Sequence, residues 1–400
     1  MTDARTLAPP LEAMPAPRLT TPAAIGLIGF LTLVDLFAAQ AILPSLAKHY
    51  GVSAAQIGVA ANASTLGMAI AGLLAGALGA KLERRRAIWM SLALLAIPTS
   101  LLALAPNLTV FAVLRVTQGL FMASAFTLTL AYLAERCTMA AAPGALAAYV
   151  TGGVASNLVG RLAAAFVASL VGPEASFLFF AALNLAGAAL VAATLNRNRP
   201  MAAQGEAPGR FWAAWAGHLA EPRLRRAFAI GFLILFGFIG TFTYVGFVLM
   251  APPLSLGMRA LGLVFLVFAP SMVTTPLAGR AARRFGAGPT LLLSLGLALA
   301  GLLLMLATSL ALVLAGMTIV GVGTFFAQAA ATGYVGRTAT RDRAAASGLY
   351  LSAYYCGGLA GAAAVGQLFD RFGWNAAVAG IFAALAGAAL LGAGLKEKLP

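Results

Sequence analysis

The feature that most limits the fold of this chain is a series of long apolar runs, separated by short polar or basic segments. A helix needs about 20 predominantly apolar residues to cross the hydrocarbon core of a bilayer. The runs that are long enough cover residues 23–46, 56–79, 87–105, 108–133, 144–171, 175–195, 226–250, 257–279, 289–308, 310–334, 344–368 and 375–394. Backbone polar groups inside lipid must be paired within the span, and these runs lack the alternation of barrel strands. We therefore expect twelve transmembrane helices.

The composition excludes most other classes of protein. Hydrophobic residues make up 61% of the 400 residues and charged residues only 9%, whereas a soluble domain carries roughly a quarter of charged residues. The two histidines and the widely spaced Cys137 and Cys356 are too few for a zinc or haem site or a disulfide framework. No phosphate-binding loop of the form GxxxxGK followed by Ser or Thr occurs. We expect an all-α polytopic membrane protein that is not an enzyme and carries no metal or other cofactor.

The net charge of +15 fits a membrane topology and does not require nucleic acid. With both termini in the cytoplasm, only Lys48, Arg259 and Arg371 of the 26 basic residues fall outside, and Arg115 and Arg161 fall inside spans. The remaining 21 face the cytoplasm, which is the bias that orients membrane proteins. We therefore predict a multi-pass protein with two cytoplasmic termini and no nucleic-acid partner.

The two halves of the chain resemble each other. The loop after the second span begins GALGAKLERRR at Gly76, and the loop after the eighth begins GRAARRFGAG at Gly279, 203 positions later. The fourth and tenth spans share a Gly and a Tyr at an offset of 202, and the fifth and eleventh share two glycines at an offset of 201. Two six-helix bundles of one topology are typical of a transporter that binds its substrate between the halves.

The Pro/Gly-rich, basic stretch between the halves is typical of a cytosolic linker. The predicted parts are a disordered cytosolic tail at 1–20, a first bundle at 21–196, a linker at 197–224, a second bundle at 225–395 and a cytosolic tail at 396–400.

Several stretches resemble a known family of transporters. The fourth span contains Arg-x-x-Gln-Gly as Arg115, Gln118 and Gly119, and the first span ends in QAILP, 40–44. The phrases GGVASNLVGR in the fifth span and TYVGFVLMAPPLSL in the seventh add to the likeness. With the layout of twelve spans, these stretches resemble the major facilitator superfamily and, within it, the drug:proton antiporters. The resemblance covers nearly the whole chain and implies the major facilitator fold, a bacterial inner membrane and efflux by proton exchange.

The same resemblance implies a gating loop at the cytoplasmic end of each half. The family's first loop reads Gly-x-Leu-Ala-Asp-Arg-x-Gly-Arg-Arg, and its acid helps to lock the outward-facing state. Here Ala80 replaces that acid, so that Glu83 or Glu135 takes its role or the lock is weak. The gating residues that the resemblance implies are Gly76, Lys81, Arg84 and Arg85 in the first copy, and Gly279, Arg284 and Gly286 in the second.

Asp35 lies about halfway along the first span and is the only acid well inside any predicted span. An Asp at the centre of a membrane helix costs roughly 2.5–3.5 kcal/mol on insertion scales, so we expect it to face protein or water. Burial disfavours its charged form and a nearby arginine favours it, so this carboxyl can load and release a proton. We favour proton coupling by Asp35 and Arg115; the alternative is a static ion pair of Asp35 with Arg115 or Arg161.

Polar and aromatic residues in the spans are candidates for the substrate cavity. With Asp35 ionised, the spans hold two positive charges and one negative charge, so cationic drugs are repelled unless an arginine is shielded. This charge count does not exclude neutral and anionic substrates. An aromatic wall suits lipophilic or ring-bearing ones. The predicted cavity residues are Gln40, Gln118, Asn157, Arg161, Tyr244, Phe247, Phe325, Gln328, Tyr350 and Tyr354.

These features predict a secondary active transporter that exports a small organic solute, lipophilic, aromatic or anionic, by proton-coupled alternating access. The main alternative is a proton-independent facilitator or importer of the same fold, which would show counterflow without a response to pH. A receptor that binds a ligand and moves nothing is a third. The expected partners are the small-molecule substrate, protons and the lipid bilayer, and we expect a monomer.

Overall fold

The computed structural model describes residues 22–78, 83–137, 142–195 and 210–395, and nearly all of them are helical. The predicted tails at 1–20 and 396–400, the loop residue Lys81 and much of the predicted linker lie outside the described residues. Below, the cytoplasmic and outer sides are those that the distribution of basic residues predicts.

The first span is not one continuous helix. Its parts are Pro22–Leu33, a short turn, the 3-10 helix Ala38–Ile42 and the helix Leu43–Tyr50. The helices on either side of the turn meet at 53°. Asp35 lies within this turn, so the helix predicted over 23–46 breaks next to its one carboxyl.

The other spans of the first half follow in the predicted order. Span 2 is Ala54–Asn62 continuing as Ser64–Leu78, span 3 is Arg84–Leu101, span 4 is Leu108–Arg136, span 5 is Ala142–Val171 and span 6 is Pro173–Thr194.

The second half begins after a linker helix, Arg210–Ala220. Span 7 is Pro222–Met250, span 9 is Ala287–Leu304 and span 10 is Leu310–Thr338. Span 8 consists of five short pieces: Met258–Val264, the 3-10 turn Phe265–Phe268, Ala269–Thr274, the 3-10 turn Thr275–Leu277 and Ala278–Phe285.

The last helix, Arg343–Ala393, contains span 11 over 343–372 and span 12 over 374–393. It breaks at Gly373, whose φ of 78° lies in the left-handed region that glycine tolerates. By length and apolar composition, ten of the described helices can cross a membrane, and the bent first span makes eleven. The break at Gly373 therefore brings the number to the twelve that the sequence predicts.

The internal repeat is visible in the helix packing. In the first half, a Cβ at Gly160 of span 5 would lie 2.2 Å from the Val34 carbonyl of span 1. In the second half, a Cβ at Gly361 of span 11 would lie 2.4 Å from the Phe236 carbonyl of span 7. The glycines are 201 positions apart and their partners 202. Each half therefore forms its own bundle by the same close helix contact, which only small residues allow.

The bundles meet mainly along spans 2 and 11 and along spans 5 and 8, and to a smaller extent along spans 1 and 7. Tyr244 of span 7 is buried at this boundary, and its hydroxyl donates to the Ala362 carbonyl. The same hydroxyl lies where a Cβ of Gly58 or Gly366 would be, so these glycines let the two bundles close around it.

A charged contact joins the outer ends of spans 2 and 11. The Asp370 carboxylate at the end of span 11 accepts the Ala55 N–H at 3.2 and 3.3 Å. Ala55 lies in the first turn of span 2, where the helix dipole favours a negative charge. The acid therefore holds the two bundles together at the outer surface.

Candidate functional site

A polar cluster surrounds Asp35 inside the first bundle. Its Oδ2 accepts hydrogen bonds from Gln118 Nε2 at 2.7 Å, Thr99 Oγ1 at 3.2 Å and Asn184 Nδ2 at 3.2 Å. Asp35 is only 3% exposed, and its Oδ1 is buried with no hydrogen-bond partner among the described residues. The carboxyl thus faces protein, as expected for an acid at this depth. We call Asp35, Thr99, Gln118 and Asn184, together with Arg115, the carboxyl cluster.

Arg115 does not form a direct ion pair with Asp35. In the described part of the chain, no nitrogen of this guanidinium lies within 4.0 Å of a carboxylate oxygen. Gln118 bridges the two instead: its Oε1 accepts from Arg115, and its Nε2 donates to Asp35. Because a guanidinium can only donate, Arg115 fixes the orientation of the amide. Gln118, which was predicted to line the substrate cavity, therefore lies inside the first bundle.

Arg115 also satisfies the backbone at two helix breaks. Its Nη2 donates to the Leu36 carbonyl at 2.9 Å, within the turn that interrupts span 1. Its Nε donates to the Ala61 carbonyl at 2.8 Å, next to the break between the two parts of span 2. A carbonyl released from a helix inside lipid needs such a partner. The bent geometry of spans 1 and 2 therefore depends on this one side chain.

A small cavity lies against the carboxyl cluster on its outer side. Asp35, Arg115 and Gln118 line it together with Ser176 and Phe180 near the outer end of span 6. The centre of a water molecule can occupy about 10 Å³ of this cavity. That volume is about what one water needs. The carboxyl is thus sealed within the first bundle except for a space of the size of one water.

A second polar cluster centres on Arg161 of span 5, at the boundary between the bundles. The side chain is fully buried, and its Nη2 donates to Gln40 Oε1 at 2.6 Å. Its Nη1 donates to the Asn157 carbonyl at 2.9 Å and to Asn157 Oδ1 at 3.3 Å. Among the described residues its Nε has no partner and no acid lies within 4.0 Å. Two predicted cavity residues, Gln40 and Asn157, therefore contact a third, Arg161, which is a buried cation without a counter-ion among the described residues.

Four phenylalanine rings surround the Arg161 guanidinium. The ring centroids of Phe37, Phe238, Phe265 and Phe268 lie 4.8, 5.9, 5.2 and 4.5 Å from its Cζ. Phe37 belongs to the first bundle, whereas the other three rings come from spans 7 and 8 of the second. The faces of aromatic rings attract cations, so contacts across the bundle boundary partly compensate the charge. We call Gln40, Asn157, Arg161 and these rings the arginine cluster.

Gln40 and Asn62 connect both clusters to the second bundle. Gln40 Nε2 donates to Asn62 Oδ1 at 3.2 Å and to Thr243 Oγ1 of span 7 at 3.3 Å. Asn62 Nδ2 donates to the same hydroxyl at 3.0 Å. Gln40 also accepts from Arg161, and Asn62 follows the carbonyl that Arg115 binds. The backbone of Ala61 and Asn62 thus links Arg115 of the carboxyl cluster to the polar contacts that reach Thr243 in the second bundle.

The predicted cavity residues of the second half lie in three places. Phe325 joins the rings of the arginine cluster, with its centroid 5.1 Å from that of Phe238. The Tyr350 hydroxyl donates to Gln328 Oε1 at 2.7 Å, and the Tyr354 ring stacks on Tyr350 at 6.3 Å.

The remaining two residues of that set, Tyr244 and Phe247, lie near the outer contact between the bundles, both beside Phe369. That any of the ten predicted residues binds substrate stays a prediction.

The predicted gating residues occupy the cytoplasmic ends of spans. Arg85 donates to the Ala192 carbonyl near the end of span 6, and Arg84 is 9% exposed. In the second copy, Gly286 has a φ of 86° and joins spans 8 and 9. The others are Gly76 in span 2, Gly279 and Arg284 in the last piece of span 8, and Lys81, which lies outside the described residues. A gating role for these residues stays a prediction.

The sequence patterns did not predict four of these polar residues: Thr99, Asn184, Asn62 and Thr243. Threonine is common in membrane helices, where its hydroxyl usually donates to its own backbone, so its presence alone marks no site. Asn184 carried a usable signal, because it is a strongly polar residue in the middle of span 6, at about the depth of Asp35 in span 1.

Comparison with known proteins identifies relatives along almost the whole chain. The chain is 28% identical over 371 residues to the inner membrane transport protein YnfM of Escherichia coli (strain K12). The match covers 93% of this chain and 89% of that protein. The chain is 24% identical over 346 residues to an uncharacterized MFS-type transporter, YybF, of Bacillus subtilis (strain 168), covering 86% of each.

Solved structures share the fold. One is a bacterial homolog of the human lysosomal transporter Spinster in an inward-facing and occupied conformation, with a TM-score of 0.72 at 15% identity over 93% of this chain and 94% of that one. Another is the nucleoside transporter NupG, with a TM-score of 0.73 at 16% identity over 93% and 98%. The sequence model of the Major Facilitator Superfamily matches residues 25–272 and 248–398. The twelve spans in two related bundles and these matches establish that the chain is a multi-pass membrane transporter belonging to the Major Facilitator Superfamily.

Proposed function

We propose that the protein exports a small organic anion with an apolar or aromatic body, in exchange for protons, by alternating access. The observation that carries this proposal is the Asp35 carboxyl, which is buried beside a space of the size of one water and forms no ion pair with any described residue. A permanently charged carboxylate at this depth is costly. A proton carrier requires a group that gains and loses its charge during the cycle.

The proton step acts through Gln118 and Arg115. A hydrogen bond to an ionised carboxylate is roughly twice as strong as a neutral one, so protonation of Asp35 loosens its bond from Gln118. Gln118 holds Arg115, and Arg115 holds the backbone at the breaks of spans 1 and 2. Those spans carry Gln40 and the contact with Thr243. Protonation thereby changes the stability of the outer contact between the bundles.

The substrate step acts through Arg161. Three of the four rings around this guanidinium belong to the second bundle, so a rocking of the bundles removes them from the cation. The exposed guanidinium then presents its donors to an anion, and a carboxylate is its best geometric match. The rings that have moved away form an apolar wall for the body of the substrate.

The test is transport into and out of proteoliposomes with an imposed pH gradient. Benzoate and its neutral analogue benzamide serve as a matched first pair, followed by larger aromatic carboxylates. We expect the pH gradient to drive movement of the anion, the Asp35→Asn variant to lose the response to pH, and the Arg161→Gln variant to lose the preference for the anion. Glu174→Gln, which removes a half-exposed acid at the outer surface, is the control.

Three results would contradict the proposal. Wild-type rates of pH-driven transport in Asp35→Asn would exclude this carboxyl as the proton carrier. Counterflow of solute that ignores the pH gradient in the wild-type protein would instead establish the alternative, a proton-independent facilitator. A gradient that drives the anion in the same direction as the protons would identify an importer.

A further inference from the structure

An apolar groove opens on the lipid-facing side of the second bundle, toward its cytoplasmic end. It has a volume of about 500 Å³, within the range of about 300–1,000 Å³ that is common for ligand sites. Leu277 and Phe285 of span 8, Leu293 and Leu297 of span 9 and Phe326 of span 10 form its walls. The first four of these side chains are between 43% and 70% exposed, so the groove is open to the bilayer.

The polar side chains that line the groove are already satisfied. Thr274, Thr290 and Ser294 each donate to a carbonyl of the chain segment that precedes them, at 3.0, 2.7 and 2.8 Å. None of these hydroxyl protons is left for a ligand. The groove therefore offers a ligand no free hydroxyl proton among these side chains and suits a hydrocarbon chain.

The helix at the cytoplasmic end of the groove carries three arginines. Arg280, Arg283 and Arg284 are all exposed on the last helix of span 8, which also carries the groove residue Phe285. The Arg284 Cζ lies 5.3 Å from the centroid of the Phe285 ring, so its guanidinium lies directly at the mouth. In the described part of the chain, none of the three has an acid within 4.0 Å.

Two further features increase the positive potential at this point. Span 9 begins at Ala287 with no side-chain cap, so the positive end of its dipole adds to the arginines. The segment from Gly279 to Gly286 contains no acid, whereas the matching loop of the first half contains Glu83. Within this segment, and among the described residues within 4.0 Å, the arginines therefore have no acid that would neutralise them.

We propose that this groove binds one acyl chain of an anionic phospholipid of the cytoplasmic leaflet, with the phosphate headgroup held by Arg280, Arg283 and Arg284. The apolar walls and the cationic mouth match the two parts of such a lipid, and juxtamembrane basic residues attract anionic lipids with about 1 kcal/mol each. The site is separate from both the carboxyl cluster and the arginine cluster, and it does not depend on the direction or the energy source of transport.

The experiment measures lipid binding to the purified full-length protein in detergent by native mass spectrometry. The probes are phosphatidylglycerol, phosphatidylethanolamine with the same acyl chains, and glycerol phosphate without chains. We expect phosphatidylglycerol to bind more tightly than phosphatidylethanolamine. Replacing Arg280, Arg283 and Arg284 by Gln should weaken phosphatidylglycerol roughly fivefold per arginine, down to the level of phosphatidylethanolamine. Leu293→Trp, which fills the groove, should weaken both lipids.

The matched control removes the same charge elsewhere, by replacing the exposed residues Arg223, Arg225 and Arg341 with Gln. It should leave the preference for phosphatidylglycerol intact. Equal affinity for the two lipids, an unchanged affinity in the Arg280, Arg283 and Arg284 triple variant, or no effect of Leu293→Trp would each overturn the proposal. Glycerol phosphate that competes as well as the whole lipid would show that the arginines bind a free phosphate and that the groove plays no part.

Discussion

The two bundles pack their helices in the same way but carry different chemistry at matched positions. In the first bundle Asn184 donates to Asp35. In the second, the matched residues Leu385 and Gly237, 201 and 202 positions later, pack against each other as plain apolar neighbours. The matched residues of Arg115, Gln118 and Arg161 are Met317, Val320 and Ala362, all fully buried.

This difference separates what the fold needs from what function needs. The second bundle builds six spans and the same close glycine contacts without an acid, an arginine or an amide at these positions. Ionisable groups inside a membrane are costly and are kept for a purpose. We therefore expect the polar groups of the first bundle to serve transport, although Arg115 also binds the backbone at the breaks of spans 1 and 2.

The largest expected effect comes from replacing Arg115 by methionine, which is the residue at the matched position of the second bundle. Arg115→Met leaves the carbonyls of Leu36 and Ala61 without a partner, and each buried unsatisfied group costs about 1–3 kcal/mol. We expect a fall of about 2–6 kcal/mol in stability, measured as a lower unfolding temperature in detergent. The matched control is Met317→Leu, which should cost less than about 1.5 kcal/mol. If Arg115→Met is as stable as the wild type, Arg115 does not hold the helix breaks.

A smaller effect is expected from Asn184→Leu, which copies the second bundle next to the acid. The Asn184 amide donates to the carboxylate, so its loss makes the proton harder to remove and moves the pH midpoint of transport to higher pH. A hydrogen bond to a charged group contributes about 1.5–3 kcal/mol, which corresponds to about one to two pH units. Rates of transport across a pH series in proteoliposomes measure the shift.

The control for that experiment is Thr129→Val, because the buried Thr129 hydroxyl donates to the Ala125 carbonyl of its own helix. This variant should keep the wild-type midpoint. An Asn184→Leu midpoint that stays fixed or moves to lower pH would show that Asn184 does not act on the titrating group.

The smallest effect is expected at a site where the second half, and not the first, carries the acid. At the outer surface the second half carries the acid, Asp370, and the matched residue 201 positions earlier is Ser169. A carboxylate at an exposed helix N-terminus contributes about 0.3–1 kcal/mol. Asp370→Asn should therefore favour opening of the outer side by no more than about fivefold.

Spin labels report this opening as a distance. They are placed at Ser53→Cys and Phe372→Cys, in a protein whose native Cys137 and Cys356 are replaced by Ser. A longer mean distance in Asp370→Asn, but not in the control Glu221→Gln, is the expected result. Identical distance distributions in all three proteins would rule out a latch at Asp370.

Much of the architecture was predictable, because lipid forces apolar runs into helices and the basic residues orient them. The shared face of Arg115 and Gln118 followed from helical periodicity. The break at Asp35 was not predictable from the sequence, because the turn contains neither Gly nor Pro and depends on Arg115 from another span.

The placement of Gln118 within the first bundle was also not predictable from the sequence. Span 4 is apolar on most sides, so its sequence does not fix which face turns to the bundle interior and which to the other half. Only the packed bundle shows that Gln118 points to Asp35, whereas Gln40 points to Arg161.

The most direct measurement of the central claim is infrared difference spectroscopy of the purified protein between acidic and alkaline pH. If Asp35 carries the proton, a protonated-carboxyl band titrates in the wild type and in Glu174→Gln and is missing in Asp35→Asn. Identical titrating bands in the wild type and Asp35→Asn would contradict it, because the carboxyl inside the first bundle would then hold one charge state throughout.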